Sequence, residues 1–252
     1  MRVLQRLKAI IRPSKPPVGP DYEKILADNF QRFLKAGDWV ADVGAHTGVH
    51  TAKMIKSVGT TGRVIAFEPL PKCYQSLLKS FQRFPNVEIV NAALSNFCES
   101  GTAFTEATGT PQESGLKRRG FNFPERAKPR EIRVDVTTLD RAIGNWERLD
   151  YLKIDIEGGE LDCLEGGAAI LARHRPIISF ECGYDAFAHY GKAIGDFFVY
   201  ATATDCRIFD LFGREIRNEE EMQSVMGTMW DFYFVPTSKV ENFLTAIKVA
   251  RS

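Results

Sequence analysis

The sequence contains no C-x-x-C pair, and its cysteines are odd in number and widely spaced: Cys73, Cys98, Cys163, Cys182 and Cys206. This spacing disfavours a disulfide framework or a zinc site and favours reduced thiols in a cytoplasmic protein. No run of 18 apolar residues occurs, so no membrane span is expected. The net charge of +1 gives the whole molecule no bias toward polyanions, so nucleic acid is not an expected partner.

The 252 residues suffice for one large domain, and a hydrophobic content of 44% allows a sizeable core. Residues 1–20 differ from the rest: Val3, Leu7 and Ile10 fall on one helical face among basic residues, and a proline-rich linker follows. This segment is expected to cap the domain or to fray, with contact to a membrane surface or a partner as the alternative. The domain itself is expected over residues 21–252, and the sequence leaves its oligomeric state open.

Strands and helices alternate along most of the chain, which predicts an α/β fold with a parallel sheet and helices on both faces. The predicted strands are 39–45, 63–68, 87–94, 150–156 and 176–182, and the predicted helices are 22–34, 48–58, 71–84, 160–173, 185–204 and 238–249.

Two regions interrupt this alternation. Runs at 101–108 and 131–137 predict a hairpin-like insertion over about residues 100–137. Near the C-terminus, 206–212 and 229–235 predict an antiparallel pair. The expected sheet therefore has seven strands, mostly parallel, with the last strand antiparallel.

A glycine turn, Asp42-x-Gly44-x-x-x-Gly48, connects the first predicted strand to its helix. Such a turn presents backbone N–H groups to a nucleotide-like ligand. Glu68 ends the next strand, where an acid can accept hydrogen bonds from both ribose hydroxyls. The two elements together predict a bound adenosine compound. The turn departs from G-x-G-x-x-G, which disfavours an NAD-type enzyme.

Charged residues alternate along the predicted strand 150–156, at Lys153, Asp155 and Glu157. Charges at the end of a buried strand are costly unless they are used or paired. Ligands of an open parallel sheet bind outside the carboxyl ends of its strands. The segment therefore predicts part of a ligand site, with a structural ion-pair network as the alternative.

The chain resembles the FkbM-type methyltransferases. The matching pieces run in family order over about residues 37–183: VADVGAHTGVHT, VIAFEPLPKCYQSLLKSF, VEIVNAALS, VTTLD, LKIDIEGGELDCLEGG and PIISFECG. The resemblance implies S-adenosylmethionine as methyl donor and O-methylation of a hydroxyl on a sugar, glycan or other small natural product. The predicted strand layout, with its insertion, is that of the Rossmann-like class I methyltransferase fold.

Carried over by motif position, the resemblance implies that Asn91 and Ala92 lie near adenine and Asp155 near the methionine end of the cofactor. His46 stands where the family usually has Asn, and it either contacts the ligand or lines the turn. The expected cofactor-binding residues are Asp42, Gly44, Ala45, His46, Glu68, Pro69, Asn91, Ala92 and Asp155.

The candidate catalytic residues are Asp155, Glu181 and His189, which are expected at one edge of the sheet. Any of these side chains, or Glu157, could take a proton from a substrate hydroxyl. Asp155 and Glu181 could instead bind a divalent ion, although no metal is assigned. Between Glu181 and His189, Tyr184 lies in the same region, and Asp185 is expected either in the site or as a helix N-cap.

The insertion carries a basic stretch between residues 114 and 133, with Phe121 and Phe123 among the cations. Beside a cofactor site, this composition predicts a lid that meets an anionic or glycan substrate, and a solvated loop is the alternative. Two other functions remain open: an NAD or nucleotide-sugar enzyme, and a non-catalytic module that binds the cofactor. The first does not account for the KIDIEG segment, and the acids at the sheet edge argue against the second.

Overall fold

A computed structural model describes residues 19–118, 120–122, 124–183 and 186–248. The N-terminal segment predicted to cap the domain therefore lies outside the described residues, apart from Gly19 and Pro20. Tyr184, Asp185 and Phe123 lie outside them as well.

The strands alternate with helices along most of the chain. They are β1 (Trp39–Val43), β2 (Arg63–Phe67), β3 (Val87–Val90), β4 (Ala93–Leu94), β5 (Glu99–Ala107), β6 (Pro129–Thr137), β7 (Tyr151–Ile154), β8 (Ile177–Glu181), β9 (Cys206–Asp210), β10 (Glu215–Ile216) and β11 (Asp231–Pro236).

The α-helices are α1 (Tyr22–Phe33), α2 (Val49–Val58), α3 (Pro71–Phe81), α4 (Pro124–Ala127), α5 (Leu139–Ile143), α6 (Glu160–Glu165), α7 (Ala168–His174), α8 (Ile194–Ala203), α9 (Glu219–Met226) and α10 (Val240–Lys248). Short 3₁₀ turns lie at Pro111–Glu113, Phe187–Tyr190 and Thr237–Lys239. Within the described parts of the chain, no helix combines the length and apolar character needed to cross a membrane.

The main sheet has eight strands in the order β10-β9-β11-β8-β7-β1-β2-β3. The pairs from β8 through β7, β1 and β2 to β3 are parallel, and β11 is antiparallel to both of its neighbours. The prediction of a mostly parallel sheet with an antiparallel last strand is confirmed. The eighth strand, β10, is a two-residue edge strand that the sequence pattern does not predict.

Both faces of the central strands are buried, which explains why these strands are mostly apolar; Asp42 of β1 and Lys153 of β7 interrupt the apolar runs. On one face, Val43 and Ile154 pack in a core that includes Phe197 of α8. On the other face, Val40 packs in a second core with Phe30 of α1. Each fully buried side chain of this size contributes about 1.5–3 kcal/mol, so the two cores hold β1 and β7 firmly at the centre of the molecule.

Three predicted elements are divided in the structure. The predicted strand 87–94 becomes β3 and β4, which belong to different sheets. The predicted helix 160–173 becomes α6 and α7, which are separated by Gly166 and Gly167. Gly166 lies so close to Ser95 that a Cβ there would be 2.1 Å from its carbonyl oxygen. The predicted helix 185–204 is divided at Gly191, whose φ of 72° is left-handed.

The insertion forms a second sheet of three strands, in the order β4-β6-β5. β5 and β6 pair antiparallel, as the hairpin prediction requires, and β4 pairs parallel with β6. A small core beneath this sheet includes Leu70, Ala93 and Phe104. Because Leu70 follows β2, the insertion is packed against the carboxyl edge of the main sheet.

Candidate functional site

A cavity of about 320 Å³ lies at the carboxyl ends of β1, β2 and β7. This volume falls within the range of small-molecule sites. The main sheet supplies one side, including Asp42, Glu68 and Asp155, and helices α1 and α2 supply Glu23 and His50. The insertion supplies the opposite wall through Phe104, Pro111, Gln112, Ser114 and Leu116.

The glycine turn after β1 brings two parts of the sheet edge together. Gly44 has a φ of 80°, and an ideal Cβ on it would lie 1.9 Å from the backbone oxygen of Asp155. Its N–H and that of Ala45 donate to the carbonyl oxygen of Phe67, at 3.1 and 3.0 Å. The expectation that the turn presents its N–H groups to a ligand is therefore not met at these two residues. Gly44 instead allows the turn to contact the strand end at Asp155.

Glu68 is 3% exposed and lines the cavity at the end of β2. The N–H groups of His46 and Leu70 donate to its two carboxylate oxygens, at 2.7 and 2.8 Å. Burial raises the pKa of Glu68 to about 7, although these two hydrogen bonds oppose the rise. The carboxylate is thus held in a fixed position at the cavity wall, and its charge changes near neutral pH.

His46 adopts a φ of 48°, in the left-handed region. Asn, Asp and His are enriched there among residues other than glycine. This preference explains how His46 can replace the Asn implied by the family resemblance without changing the turn. Burial lowers the pKa of His46, so its ring is neutral at neutral pH.

Asp42 is fully buried and lines the cavity. Its Oδ2 accepts a hydrogen bond of 2.5 Å from the Thr51 hydroxyl. Its Oδ1 is buried and has no hydrogen-bond partner among the described residues. An unpaired buried acceptor costs about 1–3 kcal/mol, and a ligand with an N–H or O–H donor would satisfy it.

Lys153 and Asp155 form an ion pair of 2.8 Å at the end of β7. Burial opposes the charge of Lys153, but the carboxylates of Asp155 and Asp42 outweigh burial and raise the pKa of Lys153. Burial likewise opposes the charge of Asp155, and Lys153 reverses this effect, so the pKa of Asp155 is lowered. Both side chains are therefore charged at neutral pH and hold each other in place.

A group of acids lies behind this pair. Burial and the charges of Glu157 and Asp155 raise the pKa of Glu181 well above its usual range. Asp231 pairs with Glu181 across the β8–β11 register, and burial raises its pKa to about 8. A hydrogen bond with Glu181 also helps to lower the pKa of Asp155. Among the described residues, no group of three or more His, Cys, Asp or Glu side chains is placed to hold a metal ion.

Residues 42–206 match the profile of the FkbM methyltransferase domain. The chain belongs to the FkbM methyltransferase family. This membership confirms the resemblance and makes the domain that of an S-adenosylmethionine-dependent methyltransferase. The residues around the cavity fit such a donor, because Glu68, the unpaired Asp42 oxygen and Asp155 all lie at its wall.

Several proteins are similar to this FkbM chain. Methyltransferase sdnD of Sordaria araneosa is 25% identical over 174 residues, which cover 58% of this chain and 67% of that protein. AMB antimetabolite synthetase AmbE of Pseudomonas aeruginosa is 30% identical over 55% of this chain but only 8% of its own length. The crystal structure of a methyltransferase FkbM from Methylobacillus flagellatus has a TM-score of 0.50 at 18% identity, covering 79% of this chain and 43% of that chain. This structure shares the fold.

The FkbM cavity includes most of the residues predicted to bind the cofactor: Asp42, Gly44, Ala45, His46, Glu68, Pro69, Ala92 and Asp155. Asn91 is not among the lining residues. Its side-chain amide donates to the carbonyl oxygens of Glu68 and Pro69, at 2.7 and 3.1 Å, so it supports the wall from outside. Glu181 lies behind Asp155 and does not line the cavity, and His189 is exposed and does not line it either.

Three further residues of this FkbM site have no role in the sequence-based prediction. His50 and Glu23 line the cavity, and the His50 Nε2 lies 2.6 Å from the Glu23 Oε2. Tyr190 also lines it, and its hydroxyl accepts a hydrogen bond of 3.3 Å from the backbone N–H of Lys117 in the insertion. His50 is in the helix that directly follows the glycine turn, and this position in the sequence could have indicated a place in the site. Its partner is 27 positions away, and nothing local indicates the contact.

Glu160 has a structural role that its predicted place in the first turn of a helix does not reveal. Its carboxylate accepts hydrogen bonds from the N–H groups of Ile156 and Gly158, at 3.1 and 3.2 Å. Burial raises its pKa to about 7. Because Glu157 and Gly158 have positive φ values of 62° and 104°, this carboxylate fixes an unusual backbone next to Asp155.

Replacement of Glu68 by alanine is expected to weaken S-adenosylmethionine binding by about tenfold or more, since each hydrogen bond to a charged group contributes about 1.5–3 kcal/mol. The wild-type affinity should also rise from about pH 6 to about pH 8, because the ionised carboxyl is the better acceptor and burial raises its pKa to about 7. Isothermal titration calorimetry measures both effects.

Glu88→Ala, which removes an exposed acid of β3, provides the control and should bind like the wild type. An unchanged dissociation constant in a folded Glu68→Ala protein would remove Glu68 from the binding site.

Proposed function

We propose that the protein transfers the methyl group of S-adenosylmethionine to a hydroxyl group of a sugar, glycan or other small natural product. The observation that carries this proposal is the arrangement of three carboxylates along one cavity wall. Glu68 follows β2, Asp42 lies in β1 one residue before its end and next to the glycine turn, and Asp155 follows β7. For a donor that lies across the sheet edge, Glu68 would face the ribose, Asp42 the part beside the glycine turn, and Asp155 the methionine end.

The donor supplies an electrophilic methyl group on a positively charged sulfur. Glu68 would accept from the ribose hydroxyls, and Ala92 would lie against adenine. Asp42 has an unpaired oxygen for a donor group of the ligand, and Asp155 supplies a negative charge near the methionine end. The main contribution of such a site to the rate is to hold the hydroxyl oxygen in line with the methyl group.

The insertion supports the proposed acceptor class. It supplies both apolar and polar side chains to the cavity wall, among them Leu116 and Gln112, which suits a small molecule with hydroxyl groups. Lys117 and Arg118 follow directly and are exposed. One relative is named as an antimetabolite synthetase, which is compatible with a small natural product as acceptor. All five cysteines are free thiols, which supports action in the cytoplasm.

The test has two stages. Calorimetry with S-adenosylmethionine, S-adenosylhomocysteine and NAD should show binding of the first two only. The protein is then incubated with methyl-labelled donor and a panel of methyl glycosides, oligosaccharides and polyols, and the products are analysed by mass spectrometry. We expect label in a base-stable methyl ether. Label in an amine, a carbon–carbon bond or an ester would contradict O-methylation of a hydroxyl, and NAD binding without donor binding would contradict the whole proposal.

A further inference from the structure

We propose that His50, held in place by Glu23, is the general base that takes the proton from the acceptor hydroxyl. The inference rests on the proposed function, because it requires a hydroxyl acceptor. Both side chains line the cavity, and both belong to the first turn of a helix, α2 for His50 and α1 for Glu23. These helix starts meet at the same edge of the sheet as Asp155.

The contact with Glu23 determines which nitrogen of His50 is available. The His50 Nε2 lies 2.6 Å from the Glu23 Oε2. This hydrogen bond is the largest cause of the lowered pKa of Glu23, so Glu23 is an ionised acceptor at neutral pH. The Nε2–H of His50 therefore donates to Glu23, and Nδ1 is the nitrogen left to accept a proton. Nδ1 is buried and has no hydrogen-bond partner among the described residues.

The other candidate bases are less suitable. Asp155 is bound by Lys153, and its lowered pKa makes it a weak base. Burial raises the pKa of Glu181 well above its usual range, and Glu181 does not line the cavity. His189 is exposed and lies outside the cavity lining. His46 does line the cavity, but within the described chain its ring has no carboxylate partner to orient it.

Charged groups on several elements lie around His50. Glu23 contacts it from α1, and Asp155, which follows β7, is close enough for the charges of Asp155 and His50 to interact. Lys153 forms an ion pair with Asp155. Asp231 of β11 interacts with Glu23, Asp155 and Lys153 behind the pair. The ring of Phe30 packs edge-on against the imidazole of His50, with 5.8 Å between the ring centroids, and holds the imidazole plane in place.

The proposed step balances with the methyl donor alone. A lone pair of the acceptor oxygen forms the bond to the methyl carbon, and the methyl–sulfur bond breaks with its electron pair remaining on sulfur. The hydroxyl proton moves to Nδ1 of His50. The imidazolium that results is held through its Nε2–H by the Glu23 carboxylate, which makes Glu23 a positioning residue.

The first test does not require a known acceptor. Nuclear magnetic resonance of the full chain labelled with ¹⁵N-histidine and saturated with S-adenosylhomocysteine reports the protonation state of each ring, and His50→Gln assigns the signal. We expect the hydrogen of the His50 ring on Nε2. A ring with its hydrogen on Nδ1 and none on Nε2 would overturn the proposal.

The second test uses methyl transfer to the best alcohol of the acceptor panel. His50→Gln retains an amide donor toward Glu23 and should lower kcat by about 100-fold or more, with the dissociation constant of S-adenosylmethionine within about threefold of the wild type. The residual kcat should rise with pH as hydroxide replaces the missing base. Glu23→Gln should lower kcat by about tenfold, with little change in KM, because the ring is no longer oriented.

His174→Gln is the matched control, since His174 hydrogen-bonds the Trp146 carbonyl oxygen and does not line the cavity. A folded His50→Gln protein with the kcat of the wild type would overturn the assignment. So would a pH dependence of kcat that is lost in His46→Asn and retained in His50→Gln. Should His50→Gln fail to fold, Glu23→Gln and the histidine spectra decide. Absence of transfer to every alcohol would count against the proposed function, whereas the spectra would still decide the state of His50.

Discussion

A Gly44→Ala protein should fail to bind S-adenosylmethionine and should unfold at a markedly lower temperature. Two effects combine at this position. The φ of 80° is left-handed, which costs a residue with a Cβ about 1–2 kcal/mol. In addition, the new Cβ would lie 1.9 Å from the backbone oxygen of Asp155, so the turn and the end of β7 must separate. Thermal unfolding and calorimetry with the donor measure the two consequences.

Gly101→Ala separates these effects. Gly101 also has a left-handed φ, of 71°, but a Cβ there would meet no atom within 4 Å. This control should lose only the conformational part of the stability and should bind the donor normally. If Gly44→Ala behaved like Gly101→Ala in both measurements, the close approach between the turn and Asp155 would not matter for binding.

Replacement of Lys153 by methionine is expected to lower the free energy of unfolding by about 3–5 kcal/mol, the usual effect of removing one partner of a buried ion pair. Lys153 is 2% exposed, and its removal leaves the carboxylates of Asp155 and Asp42 close together without a cation. For a chain of this length, the melting temperature should fall by about 6–15 °C.

The loss should shrink in acid. The pKa of Asp155 is lowered in the fold, so the stability that it gains from Lys153 is present above its ordinary range and disappears as the pH falls through the lowered pKa. Lys24→Met is the control, because the exposed Lys24 pairs with Asp28 in α1. Exposed pairs of this kind contribute about 0–1 kcal/mol. Equal destabilisation by the two variants at neutral pH would show that the Lys153 pair is no stronger than a surface pair.

The sequence predicts the parts of the site that follow directly from the strand order. β1, β2 and β7 are mostly apolar, each has an acid at or just beyond its carboxyl end, and parallel strands bring these ends to one edge. Asp42, Glu68 and Asp155 are therefore predictable without coordinates, and all three line the cavity. Their roles in binding and catalysis remain predictions.

The remaining features depend on contacts between distant parts of the chain. The pairing of Asp231 with Glu181 requires the register of an antiparallel strand. The close approach of the Ser95 carbonyl oxygen to Gly166, between α6 and α7, joins distant parts of the chain. The contact between His50 and Glu23 requires the packing of α1 beside α2. No periodicity or residue spacing in the sequence indicates any of these contacts.

The two ends of the insertion lie next to each other in the fold. Leu94 pairs with Thr137 on adjacent parallel strands, and the Ser95 N–H donates to the carbonyl oxygen of Thr137 at 3.1 Å. A chain that leaves and returns at neighbouring points can change in length or content with little effect on the sheet it departs from, since loop closure depends only weakly on length. Residues 95–137 can therefore be replaced as a unit. Evolution, or an engineer, can alter this wall of the cavity while the strands that carry Glu68 and Asp155 stay as they are.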